Sequence, residues 1–266
     1  MNIDSTKIHK TLAYNRLDCS IPMTSGDSVQ RFLRVDAWRG SACLLMIFYH
    51  GCYDLTYLNI ITFDFYHHPF WLSLRILIVS LFVSIVGVSL FLATLYGVHA
   101  RAIVKRVVIL LSCALLISLV SLILFQERFI FFGILHFITL ASILGLLFRT
   151  YFRLNIILGT ALLIMGITIQ HPLFNQPFWQ WIGLMTYKPA TEDYVPLIPW
   201  FGMVLLGIAL GHRLYRQGYL YNPPISIWEK RLAKVGQHSL LIYMLHQPLL
   251  LGSLLVLKKL HYSIIN

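Results

Sequence analysis

Seven apolar stretches of about twenty residues, separated by short segments that hold most of the charge, leave this chain few ways to fold. A helix crossing the ~30 Å hydrocarbon layer needs ~20 mostly apolar residues. Stretches of that kind fall at roughly 35–55, 71–96, 104–125, 129–148, 154–170, 197–213 and 237–257. With no water in the bilayer core to satisfy backbone groups, such segments must be helical. The composition agrees: 58% of the 266 residues are hydrophobic and 12% charged, against the ~25% charged of soluble domains. Mean hydropathy is +0.74, and too few polar residues are present to cover a soluble surface. The expected fold class is all-α, a polytopic membrane helical bundle of about seven transmembrane helices. Residues 1–34 are expected as a cytoplasmic N-terminal tail, 35–257 as the transmembrane domain and 258–266 as a short non-cytoplasmic tail.

The net charge of +11 does not point to nucleic acid, because Lys and Arg lie in the short connections between apolar stretches. Sixteen of the 21 fall before or at the start of the first span, or in the second-to-third, fourth-to-fifth and sixth-to-seventh connections. Five (Arg75, Arg128, Lys188, Lys258 and Lys259) fall on the other side. Excess positive charge stays in the cytoplasm, which places the N-terminus inside and the C-terminus outside, as an odd number of spans requires. No cleavable leader is visible, so the first span is expected to act as a signal anchor. Of the four cysteines, Cys43 and Cys113 sit inside apolar runs as small hydrophobes. No metal-ligand spacing or disulfide framework is expected.

Titratable groups inside the membrane are costly, and each is a functional candidate by default. The first span is densest. Asp36 and Arg39 are three apart and share a helical face near the cytoplasmic end. His50 and Asp54, four apart, share a face near the other end, roughly 21 Å along the axis from Asp36. A carboxylate that orients a histidine makes a general base, so this pair favours chemistry over a plain interhelical hydrogen bond. His136 and His246 reach comparable depth, within ~5 Å of mid-membrane at 1.5 Å per residue, although for these two packing duties are the better explanation. His212 and His238, at cytoplasmic span ends, read as solvated or snorkelling. His67 and His68 are loop residues with no forced role. The outer loop 171–196, with Trp179, Trp181, Tyr187, Glu192, Asp193 and Tyr194, fits either a sugar cradle or an aromatic belt at the membrane interface.

The stretch Arg34-Val35-Asp36-Ala37-Trp38-Arg39-Gly40, continuing to Phe48-Tyr49-His50-Gly51, resembles the opening helix of the transmembrane acyltransferases. Phe132-Gly133-Ile134-Leu135-His136-Phe137, Pro196-Leu197-Ile198-Pro199-Trp200-Phe201-Gly202, and Gly236 through Tyr243 with Leu245-His246-Gln247-Pro248 extend the match over about residues 30–257. Within that superfamily the chain is most similar to bacterial relatives of heparan-α-glucosaminide N-acetyltransferase. The resemblance implies an enzyme that takes an acyl group, usually acetyl, from cytoplasmic acyl-CoA and delivers it to a sugar or glycan on the periplasmic face. The implied partners are acyl-CoA, the acceptor and membrane lipids, and the implied location is the bacterial inner membrane. Homodimers are common among the relatives. By this reading Arg34 and Arg39, helped by Lys105 and Arg106, hold CoA phosphates, while Asp36 positions Arg39. His50 deprotonates the acceptor and Asp54 orients His50, with His136 and His246 as further catalytic candidates.

The animal lysosomal enzymes of this family carry Asn where this chain has His50, and their proposed catalytic histidine lies at the loop spacing of Ile61. N- versus O-acylation is therefore open, and a glycosaminoglycan substrate is not carried over. Three other readings compete. Cys52 as an acyl carrier is disfavoured, because residues i and i+2 do not face each other on a helix. A proton-coupled transporter would use the same histidines and carboxylates, but no duplicated halves are evident. An assembly partner in the cell envelope would leave His50 and Asp54 replaceable.

Overall fold

A computed structural model describes residues 32–95, 100–191, 193–220 and 226–265. The expected cytoplasmic tail lies almost wholly outside the described residues, as does Glu192. Regular structure within the described residues is helical. In chain order the helices are α1 (Leu33–Tyr57), α2 (Pro69–Leu95), α3 (Ala100–Phe125), α4 (Ile134–Phe148), α5 (Phe152–Thr168), α6 (Leu197–Arg216), α7 (Ile227–Gln237) and α8 (Ser239–Ile265).

Four of these, α2, α3, α6 and α8, are long and apolar enough to cross a bilayer, and the chain is a membrane protein. Leu115, Leu119 and Ile123 of α3 are exposed, as side chains solvated by lipid are. The other three expected spans fall short for separate reasons. α1 has 25 residues, but Asp36, Arg39, His50 and Asp54 make it less apolar. α4 and α5 have 15 and 17 residues, roughly 22 and 25 Å at 1.5 Å per residue, against a hydrocarbon layer of ~30 Å. The span expected from 129 starts at Ile134, because the preceding residues form a capped loop. α7, expected only as polar connection, is an amphipathic helix of its own.

The chain forms two compact units. In the unit of residues 86–219, α3 packs on α4, α4 on α6 and α5 on α6. Small residues set these crossings. A Cβ added at Gly159 would lie 2.9 Å from the Gly202 carbonyl, and one at Gly202 would lie 2.6 Å from that of Gly159. Gly207 and Gly211 make a Gly-xxx-Gly pair in α6 that is easily passed over in the sequence. Its neighbours are within the chain: Gly87 packs against the Val204 and Gly207 backbone, and Gly211 against Val88 and Phe91. His212, expected at a solvated end, is instead 3% exposed. It stacks on Phe91 at 4.0 Å, and its Nε2 donates to the Arg149 carbonyl at 3.1 Å, closing the C-terminus of α4.

The other unit comprises residues 32–85 and 220–265. Here α1 carries a stripe at three- and four-residue spacing through Asp36, Gly40, Cys43, Met46, His50 and Asp54. α7 crosses α1 where Gly40 meets Leu232 and Gly236, with backbone against backbone. The start of α7 is fixed by a reciprocal capping box. Glu229 N–H donates to Ser226 Oγ at 3.2 Å, and Ser226 N–H donates to Glu229 Oε2 at 2.9 Å. At the far end of α1, Met46, Tyr49, Phe65, Trp71 and Ile78 build a core that Cys52 and Tyr53 border.

Two outcomes follow from this packing. Leucine at Gly40 or Gly236 forces α7 off α1 and lowers stability by about 3 kcal/mol, the upper end for an overpacked contact. Gly252→Ala, whose Cβ meets nothing within 4 Å, stays neutral or gains up to ~1 kcal/mol. Thermal unfolding midpoints in detergent separate these. The second outcome concerns pH. The Ser226 backbone amide, with its hydroxyl and the Arg34 charge, holds the Glu229 carboxyl below its ordinary value of 4.5. A depressed acid stabilises above its unfolded pKa, and that contribution is lost as pH falls through the folded value. Protease cutting within 226–237 should therefore rise on acidification below about pH 4.5, and Glu229→Gln should remove that dependence.

Candidate functional site

The charged cluster at the start of α1 is internally paired. Arg39 Nη1 donates to Asp36 Oδ1 at 2.7 Å, as the three-residue spacing leads one to expect. Arg34, half-buried, reaches Glu229 of α7 with Nε to Oε1 at 3.6 Å. The capping carboxylate of α7 thus also anchors an arginine of α1. Lys105 and Arg106 lie on α3, in the other unit, and both are exposed.

Fourteen residues along α1 from Asp36, the stripe brings His50 and Asp54 against α8. The His50 ring lies 4.9 Å from that of His246, edge to face at 62°, and 5.6 Å from that of Tyr49. His246 Nδ1 sits 2.7 Å from the Tyr243 carbonyl. A carbonyl can only accept, so Nδ1 carries the hydrogen, and in the neutral ring Nε2 bears the lone pair. The local helix has fixed one tautomer of a deep histidine.

Asp54 does not orient His50. Its carboxylate, 1% exposed, accepts a hydrogen bond from Gln247 Nε2 at 2.6 Å, and His50 makes no hydrogen bond with the described residues. The reason is competition. The amide on α8 offers an N–H donor at charge-assisted distance, whereas the imidazole one turn away on α1 does not reach. The remaining oxygens, Asp54 Oδ2 and Gln247 Oε1, are buried without a hydrogen-bond partner among the described residues. Gln247 is the residue that sequence reasoning missed. The signal was there, since it is a polar side chain inside an apolar stretch and directly follows His246.

His136 has a different duty. Its Nδ1 accepts from the Gly133 backbone N–H at 3.3 Å, and its Nε2 faces Ser118 Oγ at the same distance. An imidazole thus stands where a capping box would place a glutamate, three residues into α4. Asp193 completes the cap, its Oδ2 accepting from the Ile134 N–H at 2.9 Å, and a Cβ at Gly133 would run into that carboxylate. With both ring nitrogens occupied, His136 ties loop 126–133 to its helix.

Two more of the loop residues offered as a sugar cradle, Trp181 and Tyr194, make contacts within the protein, as does Thr191 beside them, while Tyr187 is exposed. Thr191 Oγ1 donates to the Phe129 carbonyl at 2.8 Å, and Tyr194 Oη donates to that of Gln180 at 2.6 Å, while Trp181 packs on Phe132. Loss of solvent around Tyr194 raises its phenol above the usual value. Asp64 accepts from the backbone amides of Tyr66 and His67, and also meets His67 Nδ1 at 3.1 Å. The His67 amide above all holds that carboxyl below its ordinary range. His68 Nδ1 accepts from the Phe70 N–H, so this histidine pair shapes a turn.

Deep in one unit, then, two histidines and a carboxylate–amide pair meet within apolar helices, and paired arginines mark the other end of α1. No curated protein and no solved structure matches the chain. The family model described as heparan-alpha-glucosaminide N-acetyltransferase, catalytic, matches residues 31–248, most of the sequence, and the chain belongs to that family.

Proposed function

We propose that this protein transfers an acyl group, usually acetyl, from acyl-CoA to a sugar or glycan, with the His50–His246 pair as its proton acceptor. The observation that carries the reading is the meeting of α1 and α8. Two histidines in ring contact, one with a fixed tautomer, lie beside a buried carboxylate in helices that otherwise reject polar groups. His246 Nε2 suits removal of the proton from an acceptor amine or hydroxyl. As the acceptor attacks the thioester carbonyl, the carbon–sulfur bond breaks, and the departing thiolate takes up a proton to leave as CoA. His50, with no hydrogen bond to the described residues, is available to donate to or accept from the reacting groups. Asp54 and Gln247 together balance the imidazolium that forms.

Arg34 and Arg39 fit the phosphates of CoA. Both are half-buried and already aimed by carboxylates, Glu229 and Asp36, so little side-chain entropy is lost on binding an anion. The charge asymmetry of the connections supports seven crossings with this arginine end cytoplasmic, the acceptor on the periplasmic side and the bacterial inner membrane as the location.

The reading is tested by transfer from labelled acetyl-CoA to a panel of amino sugars and envelope glycans, using reconstituted protein. His50→Ala and His246→Ala should each lower the rate by at least ~100-fold, and the double variant should lose little more, as expected for groups that act together. Gln247→Leu should cost about tenfold, by releasing Asp54. His136→Ala should keep most of the rate while lowering the unfolding midpoint, since only a cap is lost. Absence of both transfer and acetyl-CoA binding by the wild type would return the chain to proton-coupled transport.

A further inference from the structure

Arg75 is a cation inside an apolar helix, and no carboxylate among the described residues answers it. It lies six residues into α2, one of the helices long and apolar enough to cross a bilayer. Register sets its face. Trp71, one turn before, and Ile78, three residues after, are both buried in the core that α2 shares with α1, and positions 71, 75 and 78 lie on one side of the helix. An arginine snorkelling along the lipid would occupy the opposite side. On this packed side Arg75 is half-buried, beside the core in which the Tyr49 ring, 8% exposed, lies 6.0 Å from that of Trp71.

Neither the Arg75 guanidinium nor the Tyr49 hydroxyl makes a hydrogen bond or an ion pair with the described residues. The next phenols along, Tyr53 and Tyr66, bond to one another at 3.2 Å. What remains is a guanidinium fork and a phenol O–H, both able to donate, with no acceptor between them among the described residues. A charge held on the packed face of an apolar helix persists where it faces a partner, a cavity or a ligand. A planar fork beside a hydroxyl matches a carboxylate or phosphate oxygen pair. The place is distinct from the arginines proposed for CoA, since Tyr49 is thirteen residues, roughly 20 Å, along α1 from Asp36. It is close to the histidines, because the Tyr49 ring touches that of His50.

We propose that Arg75 and Tyr49 form an anion site that holds a carboxylate or phosphate group of the acceptor beside the histidine pair. The preferred acceptor is then an acidic sugar or a phosphate-bearing one. That the anion belongs to an acceptor rests on the acyl-transfer reading, whereas the anion site itself does not.

The test uses the full chain in phosphatidylcholine nanodiscs, with unfolding midpoints titrated against glucuronate, glucose 6-phosphate and, as a neutral control, glucose, at constant ionic strength. A parallel set of discs contains phosphatidylglycerol. In the wild type the anionic probes raise the midpoint and glucose does not. Arg75→Gln weakens the apparent affinity by about tenfold or more, the loss of one charge-assisted contact, and Arg75→Lys keeps part of it. A response to the sugars identifies a soluble acidic group, and a response to phosphatidylglycerol alone identifies a lipid phosphate. If no anion does more than glucose, or the response survives in Arg75→Gln, the site is overturned. Acetyl transfer is measured on the same samples. Anion binding without transfer would sink the acyl-transfer reading and leave this site standing, and transfer without anion binding would do the reverse.

Discussion

A polar side chain inside an apolar helix must find its partner within the protein, because lipid offers none. In this protein that requirement falls hardest on α1, which carries Asp36, Arg39, His50 and Asp54 on or beside one stripe. Its answer is to recruit two C-terminal helices. α7 brings Glu229 to Arg34, and α8 brings Gln247 to Asp54 and His246 to His50. Residues nearly two hundred positions apart are therefore joined by the need to satisfy polar groups in apolar surroundings. The glycines follow from the same demand. Only with hydrogen in place of Cβ at Gly40 and Gly236 can α7 lie close enough for a side chain as short as glutamate to reach across.

What the sequence made legible follows from how local each signal is. Apolar length reveals α2, α3, α6 and α8, because a span is a property of one segment. The pairing of Asp36 with Arg39 is equally local, set by three residues of helix. The Ser226-x-x-Glu229 box, an equally local signature, announces α7, although the polar composition of that connection hides it. Long-range partners are not legible. That Asp54 answers to Gln247 rather than to His50, or that Asp193 caps α4 across 59 residues, depends on which helices meet, and periodicity does not say. α4 and α5, the shortest helices found at expected spans, show the limit from the other side: apolar enough to be noticed, they are too short to be settled by composition alone.

Histidines in the apolar helices end with unlike duties, and the second ring nitrogen decides between them. In His136 both nitrogens are occupied, by the Gly133 amide and by Ser118, and the ring serves as a cap. In His212 a nitrogen closes the end of α4 while the ring packs on Phe91. In His246 the carbonyl of Tyr243 fixes Nδ1, and Nε2 is left to carry the lone pair of a ring that meets His50. Residue type is the same for all three, and depth does not separate His136 from His246. Only the hydrogen-bond partners separate the ring proposed as a base from the two that hold the fold together.

The scarcity of acids gives the arginines their meaning. The full chain has 21 Lys and Arg against 10 Asp and Glu, and in the unit that holds α1 the described carboxylates are few and engaged. Asp36 takes Arg39, Glu229 takes Arg34 and the α7 cap, Asp54 takes Gln247, and Asp64 closes its own turn. A protein of this composition cannot neutralise every intramembrane cation from within. Where a cation stays on a packed face, as Arg75 does, rather than migrating to the lipid surface, the anion proposed above would offset the desolvation it suffers. Position therefore carries what charge count alone does not: most of the Lys and Arg lie in the connections between apolar stretches, whereas Arg75 lies on a packed helix face between Trp71 and Ile78.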